Sequence, residues 1–135
     1  MEQNELVCIA PMNAVLLRNT SNLTKMAPYC VLSIGAVRCK TRISNILGGS
    51  PRWEDEFTFI TSPGAVLDVE IWDNRLLSSD KLIGKGSVVL PVCQGTEMQV
   101  DLFHNEIKAG EIRVLCKAAM HRGILGPSSI NNMRV

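Results

Sequence analysis

The sequence predicts an all-β fold, an eight-stranded antiparallel β-sandwich of the Greek-key kind. Apolar and polar residues alternate with a period of two along most of the chain, and Gly, Pro, Ser and Asn interrupt the alternation at regular intervals. No stretch shows the 3.6-residue repeat of a long amphipathic helix. With 135 residues, 46% of them hydrophobic and 20% charged, the chain is long enough to bury the core of one domain.

The first half of the chain predicts four strands, at residues 6–11, 29–34, 37–43 and 52–60, with a long polar loop at residues 13–28. Strict alternation in the third strand places Val37, Cys39, Thr41 and Ile43 on the face opposite Arg38, Lys40 and Arg42. In the fourth strand Trp53, Phe57 and Phe59 share a face. Each aromatic side chain can bury roughly 150–250 Å², so this strand is expected to anchor the core.

The second half predicts four more strands, at residues 66–72, 82–90, 98–103 and 111–118. In the fifth strand Leu67, Val69 and Ile71 point inward. Residues 73–81 form a polar loop with Leu76 and Leu77 at its centre. Beyond His121 the alternation ends among Gly, Pro, Ser and Asn, so we expect a domain at residues 1–119 and a C-terminal tail at 120–135 that is flexible or docked on a partner.

Charge and hydropathy exclude several classes of function. The net charge of +1 provides no global field to recruit nucleic acid. No apolar run approaches the roughly 18 residues of a transmembrane segment, and residues 1–5 are polar and acidic, unlike a secretory signal. We therefore expect a cytoplasmic protein with no transmembrane segment, peripheral to a membrane or associated with the cytoskeleton.

The cysteines predict buried thiols and no metal site. The chain has five, Cys8, Cys30, Cys39, Cys93 and Cys116, most of them within apolar strand patterns. In a reducing compartment such residues behave as small hydrophobic side chains. A zinc site would need clustered ligands, and Cys-x-x-Cys is absent, so no cofactor is expected.

Several short stretches together resemble a C2 domain across roughly residues 5–119. They are KMAPY at 25–29, KT at 40–41, GSPRWEDEFTF at 49–59, VEIWD at 69–73 and LIG at 82–84. Each stretch alone is weak, but they occur in the family's order and spacing. The first strand leads directly into the Ala27 loop and an extra strand closes the domain after Gly110. This order resembles the circularly permuted, type II C2 topology of small standalone C2 proteins.

The resemblance also implies where calcium ligands would lie. The family's five carboxylate positions fall on Ser21, Ala27, Asp73, Arg75 and Lys81, of which only Asp73 is acidic; Asp80, one position early, is a shifted candidate. Calcium takes about six to eight oxygen ligands, several of them anionic, and Arg75 and Lys81 add positive charge instead. We therefore predict a degenerate calcium site, in which Asp73 caps a loop by accepting backbone N–H groups.

Two features could replace calcium in binding. Arg38, Lys40 and Arg42 resemble the basic groove with which many C2 domains bind phosphoinositide head groups; the alternative is a solvated strand face. At about 1 kcal/mol per basic residue near an anionic leaflet, this groove alone supplies roughly 3 kcal/mol, less than a millimolar complex.

Leu76 and Leu77, flanked by Arg75 and Lys81, could add about 1.5–3 kcal/mol each if they were fully buried in a membrane. Leu23 and Met26 are candidate companions in the first loop. The alternative for Leu76 and Leu77 is packing beneath their own loop. Exposed apolar loop tips suit a pocket on a protein partner equally well.

Catalysis is not expected. The chain has two histidines, His104 and His121, and no Gly-x-Ser-x-Gly or phosphate-cradling loop. The carboxylates of Glu54, Asp55 and Glu56 resemble a paired-carboxylate site but are expected on a packed strand.

The sequence favours a non-enzymatic, calcium-independent C2 interaction module acting as an adaptor or structural subunit in a protein assembly. The alternative is constitutive binding to anionic phospholipid, and calcium-dependent membrane binding is the least favoured. The end of the tail, NNMRV at 131–135, weakly resembles a ligand for a PDZ domain.

Overall fold

Eight strands and no helix make up residues 4–119, which are the residues that the computed structural model describes. The strands are β1 (Glu5–Leu16), β2 (Pro28–Ile34), β3 (Val37–Lys40), β4 (Phe57–Thr61), β5 (Val66–Asp73), β6 (Lys81–Val89), β7 (Thr96–His104) and β8 (Ile107–Ala118). All strand pairs are antiparallel. The predicted all-β fold is confirmed. The predicted tail, with His121 and residues 131–135, lies outside the described residues.

The strands form two layers. Their pairing order is β3-β2-β5-β6-β7-β8-β1-β4, and β6 meets β7 at a single register pair, Lys85 with Phe103. The sheet therefore divides at this seam between β6 and β7 into two layers. One layer contains β3-β2-β5-β6 and the other contains β7-β8-β1-β4. β1 leads into the loop that contains Ala27, and β8 lies between β7 and β1, as the permuted order requires.

Alternate residues of the strands fill the core between the layers. Leu67, Val69 and Ile71 of β5 are fully buried, as predicted. Trp53 is buried too, and its indole N–H donates a hydrogen bond to the carbonyl of Pro28 at 3.3 Å. This contact ties the segment before β4 to the start of β2, which is the structural role expected of Trp53.

Three strands of the layer that contains β1 have boundaries that differ clearly from the prediction: β1, β4 and also β8, which begins at Ile107 instead of residue 111. β1 continues to Leu16 instead of ending at Pro11, because a β-bulge between Pro11 and Asn13 shifts the register and the alternation resumes at Ala14. β4 begins at Phe57 instead of residue 52, and Arg52 forms only an isolated bridge with Asn13. Residues 54–56 therefore precede the strand, and their predicted place on it was wrong.

β3 is shorter than predicted. It ends at Lys40, because Thr41 turns inward, where its hydroxyl accepts the N–H of Cys30 at 3.0 Å and donates to the carbonyl of Arg42 at 2.7 Å. Arg42 thus lies beyond the strand. Val37 and Ile43, predicted to share the face opposite the cations, are 56% and 41% exposed. Val37 lies on β3, an edge strand with one neighbour, and Ile43 lies beyond the end of that strand.

The prediction that all five cysteines are free thiols was wrong for two of them. Cys93 and Cys116 are joined by a disulfide with a Cα–Cα distance of 5.1 Å, whereas Cys8, Cys30 and Cys39 are free. β7 pairs Thr96 with Cys116, which brings the preceding connection, with Cys93, onto β8. A separation of 23 residues gives no pairing signal in the sequence.

Nothing among residues 4–119 is a helix with the length and apolarity needed to cross a bilayer.

Candidate binding site at the loop end

Two connections lie at one end of the sandwich, residues 17–27 between β1 and β2, and residues 74–80 between β5 and β6. Antiparallel pairing of β2 with β5 sets Pro28 opposite Asp73, so the first connection ends where the second begins. The N–H of Asn74 also donates to the carbonyl of Ala27 at 3.0 Å. We call this end of the molecule, with both connections, the loop end.

Asp73 is the centre of the loop end, and the residue is only 1% exposed. One carboxylate oxygen accepts the hydroxyls of Thr20 and Ser21 at 2.9 and 2.8 Å, and the other accepts the N–H of Ala27 at 2.8 Å. Burial alone would raise the pKa of Asp73, but these hydrogen bonds and the charge of Arg75 outweigh burial and lower it. Asp73 thus accepts a backbone N–H from the first connection, as a loop cap does.

Arg75 supplies the positive charge beside this carboxylate. Its Nε lies 3.7 Å from Oδ2 of Asp73, and its guanidinium donates a hydrogen bond to the carbonyl of Thr20. The Nε atom is buried and has no hydrogen-bond partner within residues 4–119. The structure therefore brings together four of the six predicted positions, Ser21, Ala27, Asp73 and Arg75, as one internally neutralised cluster.

Asp80 belongs to a second, neighbouring network. Its carboxylate accepts the hydroxyl of Tyr29 at 2.6 Å, the N–H of Arg75 at 3.0 Å and the side-chain amide of Asn74 at 3.4 Å. The hydrogen bond from Tyr29 is the first cause that lowers the pKa of Asp80, while burial and the same bond raise the pKa of Tyr29 to about 12. Asp80 thus holds the 74–80 connection closed.

Lys81 does not join either network. It opens β6 directly opposite Asp73 in the ladder, and its side chain is exposed. Within the described part of the chain it forms no ion pair.

The donor set of the loop end is a poor fit for calcium. Asp73 is the one carboxylate in its cluster, both of its oxygens already accept hydrogen bonds, and its charged neighbour is a cation. No group of three or more His, Cys, Asp or Glu side chains able to hold a metal occurs between residues 4 and 119. Calcium needs about six to eight oxygens.

Three leucines stand at the tips of the two connections. Leu23, Leu76 and Leu77 are 97%, 93% and 99% exposed, so the alternative that Leu76 and Leu77 pack beneath their own loop was wrong. Met26, expected as an exposed companion, is buried in the core, and that expectation was wrong too. The leucines border a groove of about 650 Å³ between the connections, which Lys25 also lines.

The predicted basic face is partly neutralised. Arg38 forms an ion pair with Glu70 at 3.0 Å, and Arg42 lies 3.6 Å from Asp55. Lys40 sits over the ring of Tyr29, 5.5 Å from its centroid, at cation–π distance. Arg42 is also beyond the end of β3, so the three cations do not form one array on a single strand as predicted.

Sequence reasoning missed the partners of the predicted residues. Thr20 and Tyr29 bind the two acidic side chains, and Glu70 and Asp55 bind the two arginines. Alternation along β5 does place Glu70 on the outer face, which is the signal that could have found it.

A β-sandwich whose long connections lie together at one end, with a hydrogen-bonded carboxylate beneath and apolar side chains at the tips, defines a class of binding modules in which the framework presents the loops. The C2 domain family model matches residues 5–107. This chain belongs to the C2 domain family.

Solved structures share the fold. The first C2 domain of a plant extended synaptotagmin 1 matches with a TM-score of 0.74 and 18% identity, over 86% of this chain and 96% of that one. A C2 domain-containing protein from a putative elicitor-responsive gene matches at 0.69 and 20%, over 88% and 92%. Human GIVD cytosolic phospholipase A2 matches at 0.70 and 18%, over 87% of this chain but 17% of that one.

Proposed function

We propose that this chain is a calcium-independent C2 interaction module that acts as an adaptor or structural subunit in a protein assembly. The observation that carries the proposal is the contact between Asp73 and Arg75 at the loop end. A cation that belongs to the chain already sits beside the one acidic side chain of that cluster. The module needs no captured ion to become competent for binding.

Electrostatics supports calcium independence. A calcium ion near Asp73 would have to displace three hydrogen bonds and would meet the guanidinium of Arg75. Two like charges a few ångströms apart repel by several kcal/mol at the effective dielectric constant of about 20 that describes protein surfaces. Asp80 cannot compensate, because its oxygens hold Tyr29, Asn74 and the Arg75 N–H.

The distribution of apolar surface supports a protein partner. Besides the leucines of the loop end, the opposite end exposes Val66 and Val89, which are direct ladder partners, and Val92 in the next connection. A membrane can contact one end of the sandwich. Apolar residues at both ends suit a subunit that joins two neighbours.

A second candidate function is constitutive attachment to an anionic phospholipid surface. The observation that favours it is the set of three exposed leucines backed by Lys25 and Lys81. Full burial contributes about 1.5–3 kcal/mol per leucine and each cation near the leaflet about 1 kcal/mol, enough for reversible attachment. The pairing of Arg38 and Arg42 with carboxylates weakens the basic face as a head-group site.

We further propose that the chain is not an enzyme, binds no nucleic acid and works in the cytoplasm, peripherally to a membrane or to the cytoskeleton. The acidic run at residues 54–56 supports the first point: Glu56 pairs with Lys117 and Asp55 with Arg42, as structural ion pairs do.

Co-sedimentation with phosphatidylserine and phosphoinositide vesicles, in calcium or in chelator, separates these functions. We expect no sedimentation in either condition. Sedimentation in both that is lost in the Leu23→Ser, Leu76→Ser, Leu77→Ser triple variant would replace the protein-assembly role with membrane attachment. Sedimentation that requires calcium would overturn calcium independence, as would heat of binding in a calorimetric titration with micromolar calcium.

A further inference from the structure

The disulfide lies at the end of the sandwich opposite the loop end. Cys93 belongs to the connection between β6 and β7, residues 90–95, and Cys116 belongs to β8. Both side chains are buried. The bond therefore joins a connection that crosses between the layers to a central strand of the second layer.

Few main-chain hydrogen bonds hold this connection. Leu90 is anchored, since its N–H donates to Ala65 and its carbonyl accepts the N–H of Gly64. β7 begins at Thr96. Among residues 4–119, no main-chain hydrogen bond outside the strands involves residues 91–95, so the disulfide and the packing of the buried Cys93 hold the connection.

The connection also carries an exposed valine at the end of the sandwich where two other valines are exposed. Val92, immediately before Cys93, is 57% exposed and follows Val89, whose ladder partner is Val66. Pro91 and Cys93 line a small crevice with Thr61 and Pro63, which shows that the connection packs against the turn before β5. We call Val66, Val89 and Val92 the valine surface.

We propose that Cys93 and Cys116 form a redox-sensitive disulfide that holds the connection in place, and with it Val92 of the valine surface. Closing it joins the two sulfurs and removes two protons and two electrons from the thiols. A low-molecular-weight disulfide such as oxidised glutathione accepts the electrons and is split into two thiols, and reduction reverses the exchange.

The other three thiols are poorly suited to the same exchange. Thiolate is the reacting species. Burial, followed by the hydrogen bond to Glu56, raises the pKa of Cys8 to about 11, and burial raises the pKa of Cys30 and Cys39. Cys93 and Cys116 are buried as well, and what distinguishes them is that the fold holds their Cα atoms 5.1 Å apart, within reach of a disulfide.

Counting the free thiols of the full chain tests whether the Cys93–Cys116 disulfide forms reversibly. After treatment with oxidised glutathione and unfolding in an alkylating agent, mass spectrometry should find three modified cysteines, Cys8, Cys30 and Cys39, and five after reduction. Five modified cysteines in the oxidised sample, or any pair other than Cys93 with Cys116, would overturn the proposal.

Hydrogen exchange tests the consequence for the connection. In the wild-type protein, the amides at the start of β7, residues 96–98, which pair with β8, should exchange at least tenfold faster after reduction releases the connection that leads into them. The Cys93→Ser, Cys116→Ser double variant should match the reduced protein. Cys39→Ser, a free cysteine on β3, is the matched control and should keep the difference. Equal hydrogen exchange in both redox states would refute the proposed role of the disulfide. These readouts need no partner, so they stand apart from the proposed assembly role.

Discussion

Arg75 shows how a single side chain changes the chemistry of a loop position at which the C2 resemblance implies a carboxylate. The guanidinium reaches back from the 74–80 connection to Asp73 and to the carbonyl of Thr20, so it closes both connections of the loop end at once. A calcium ion would perform the same two tasks, neutralising the carboxylate and bridging the loops. Here the chain itself performs them.

Removal of this side chain should be costly. We expect Arg75→Ala to lower the free energy of unfolding by about 1–3 kcal/mol, because it leaves the buried carboxylate of Asp73 without its cation. Arg38→Ala, which breaks an exposed ion pair with Glu70, is the matched control and should cost at most about 1 kcal/mol. Urea titrations compare the two, and equal losses would contradict the role assigned to Arg75.

Asp73 should also make stability depend on acid. Its pKa in the folded protein is lowered from the ordinary 3.8, so its ionised form contributes stability above that value, and the contribution is lost as pH falls through the folded pKa. Stability measured by urea titration should therefore fall more steeply below about pH 4 in the wild type than in Asp73→Asn. An unchanged slope in Asp73→Asn would count against the buried network.

At the scale of elements, the loop tips and the strands beneath them are independent. Leu76 and Leu77 contact little of the domain, whereas Met26, in the same end of the molecule, belongs to the core. Function at the tips can therefore change without loss of the fold.

This independence predicts contrasting variants. Leu76→Ser with Leu77→Ser should change the free energy of unfolding by no more than about 0.5 kcal/mol, as surface substitutions usually do. Met26→Ser should cost about 2–5 kcal/mol, because it leaves a cavity and buries a hydroxyl. Thermal unfolding measures both, and a double leucine variant as unstable as the methionine variant would show that the tips pack on the domain.

The seam between β6 and β7 gives a second prediction at this scale. A Cβ atom at Gly86 would overlap the carbonyl oxygen of Asp101 on β7, so the layers can approach there only with glycine. Gly86→Ala should cost at least about 1–3 kcal/mol. Gly49→Ala, where a Cβ would lie 3.4 Å from the carbonyl oxygen of Leu16, is the control and should be nearly neutral. A tolerated Gly86→Ala in chemical denaturation would argue against the close seam.

The strands also show how much of the fold can be predicted from the sequence. Period-two alternation located all eight strands, because burial on one face leaves a direct trace in residue order. It misplaced the boundaries of β1, β3 and β4, where a bulge, an inward Thr41 and edge positions decide the outcome, and it placed the start of β8 four residues late. The degenerate carboxylate positions were readable, but the partners Thr20 and Glu70, and the bond between Cys93 and Cys116, depend on contacts between strands far apart in sequence.

For the whole molecule, the two layers share a core, a narrow seam and one covalent link. The disulfide closes a loop that begins in the β6–β7 connection and ends in β8. It therefore restrains the unfolded chain as well as the native connection.

This link should be visible in global stability. For a loop of this length, chain entropy gives a stabilisation of about 3 kcal/mol, so the oxidised protein should unfold several degrees above the reduced one. Calorimetry of wild type with and without reductant measures the shift, and Cys93→Ala with Cys116→Ala should abolish the difference. If the unfolding temperature of the wild type were the same with and without reductant, the result would indicate that Cys93 and Cys116 are not bonded in solution.

The guanidinium beneath the loop tips has one more consequence, for timing. A C2 domain whose positive charge comes from bound calcium can be switched by a brief rise in calcium concentration. The positive charge of an arginine side chain, in contrast, persists from synthesis to degradation. On the calcium-independent role that we propose, occupancy of the partner follows the abundance of the two proteins and the competition for the site, and a calcium transient leaves the state of the module unchanged.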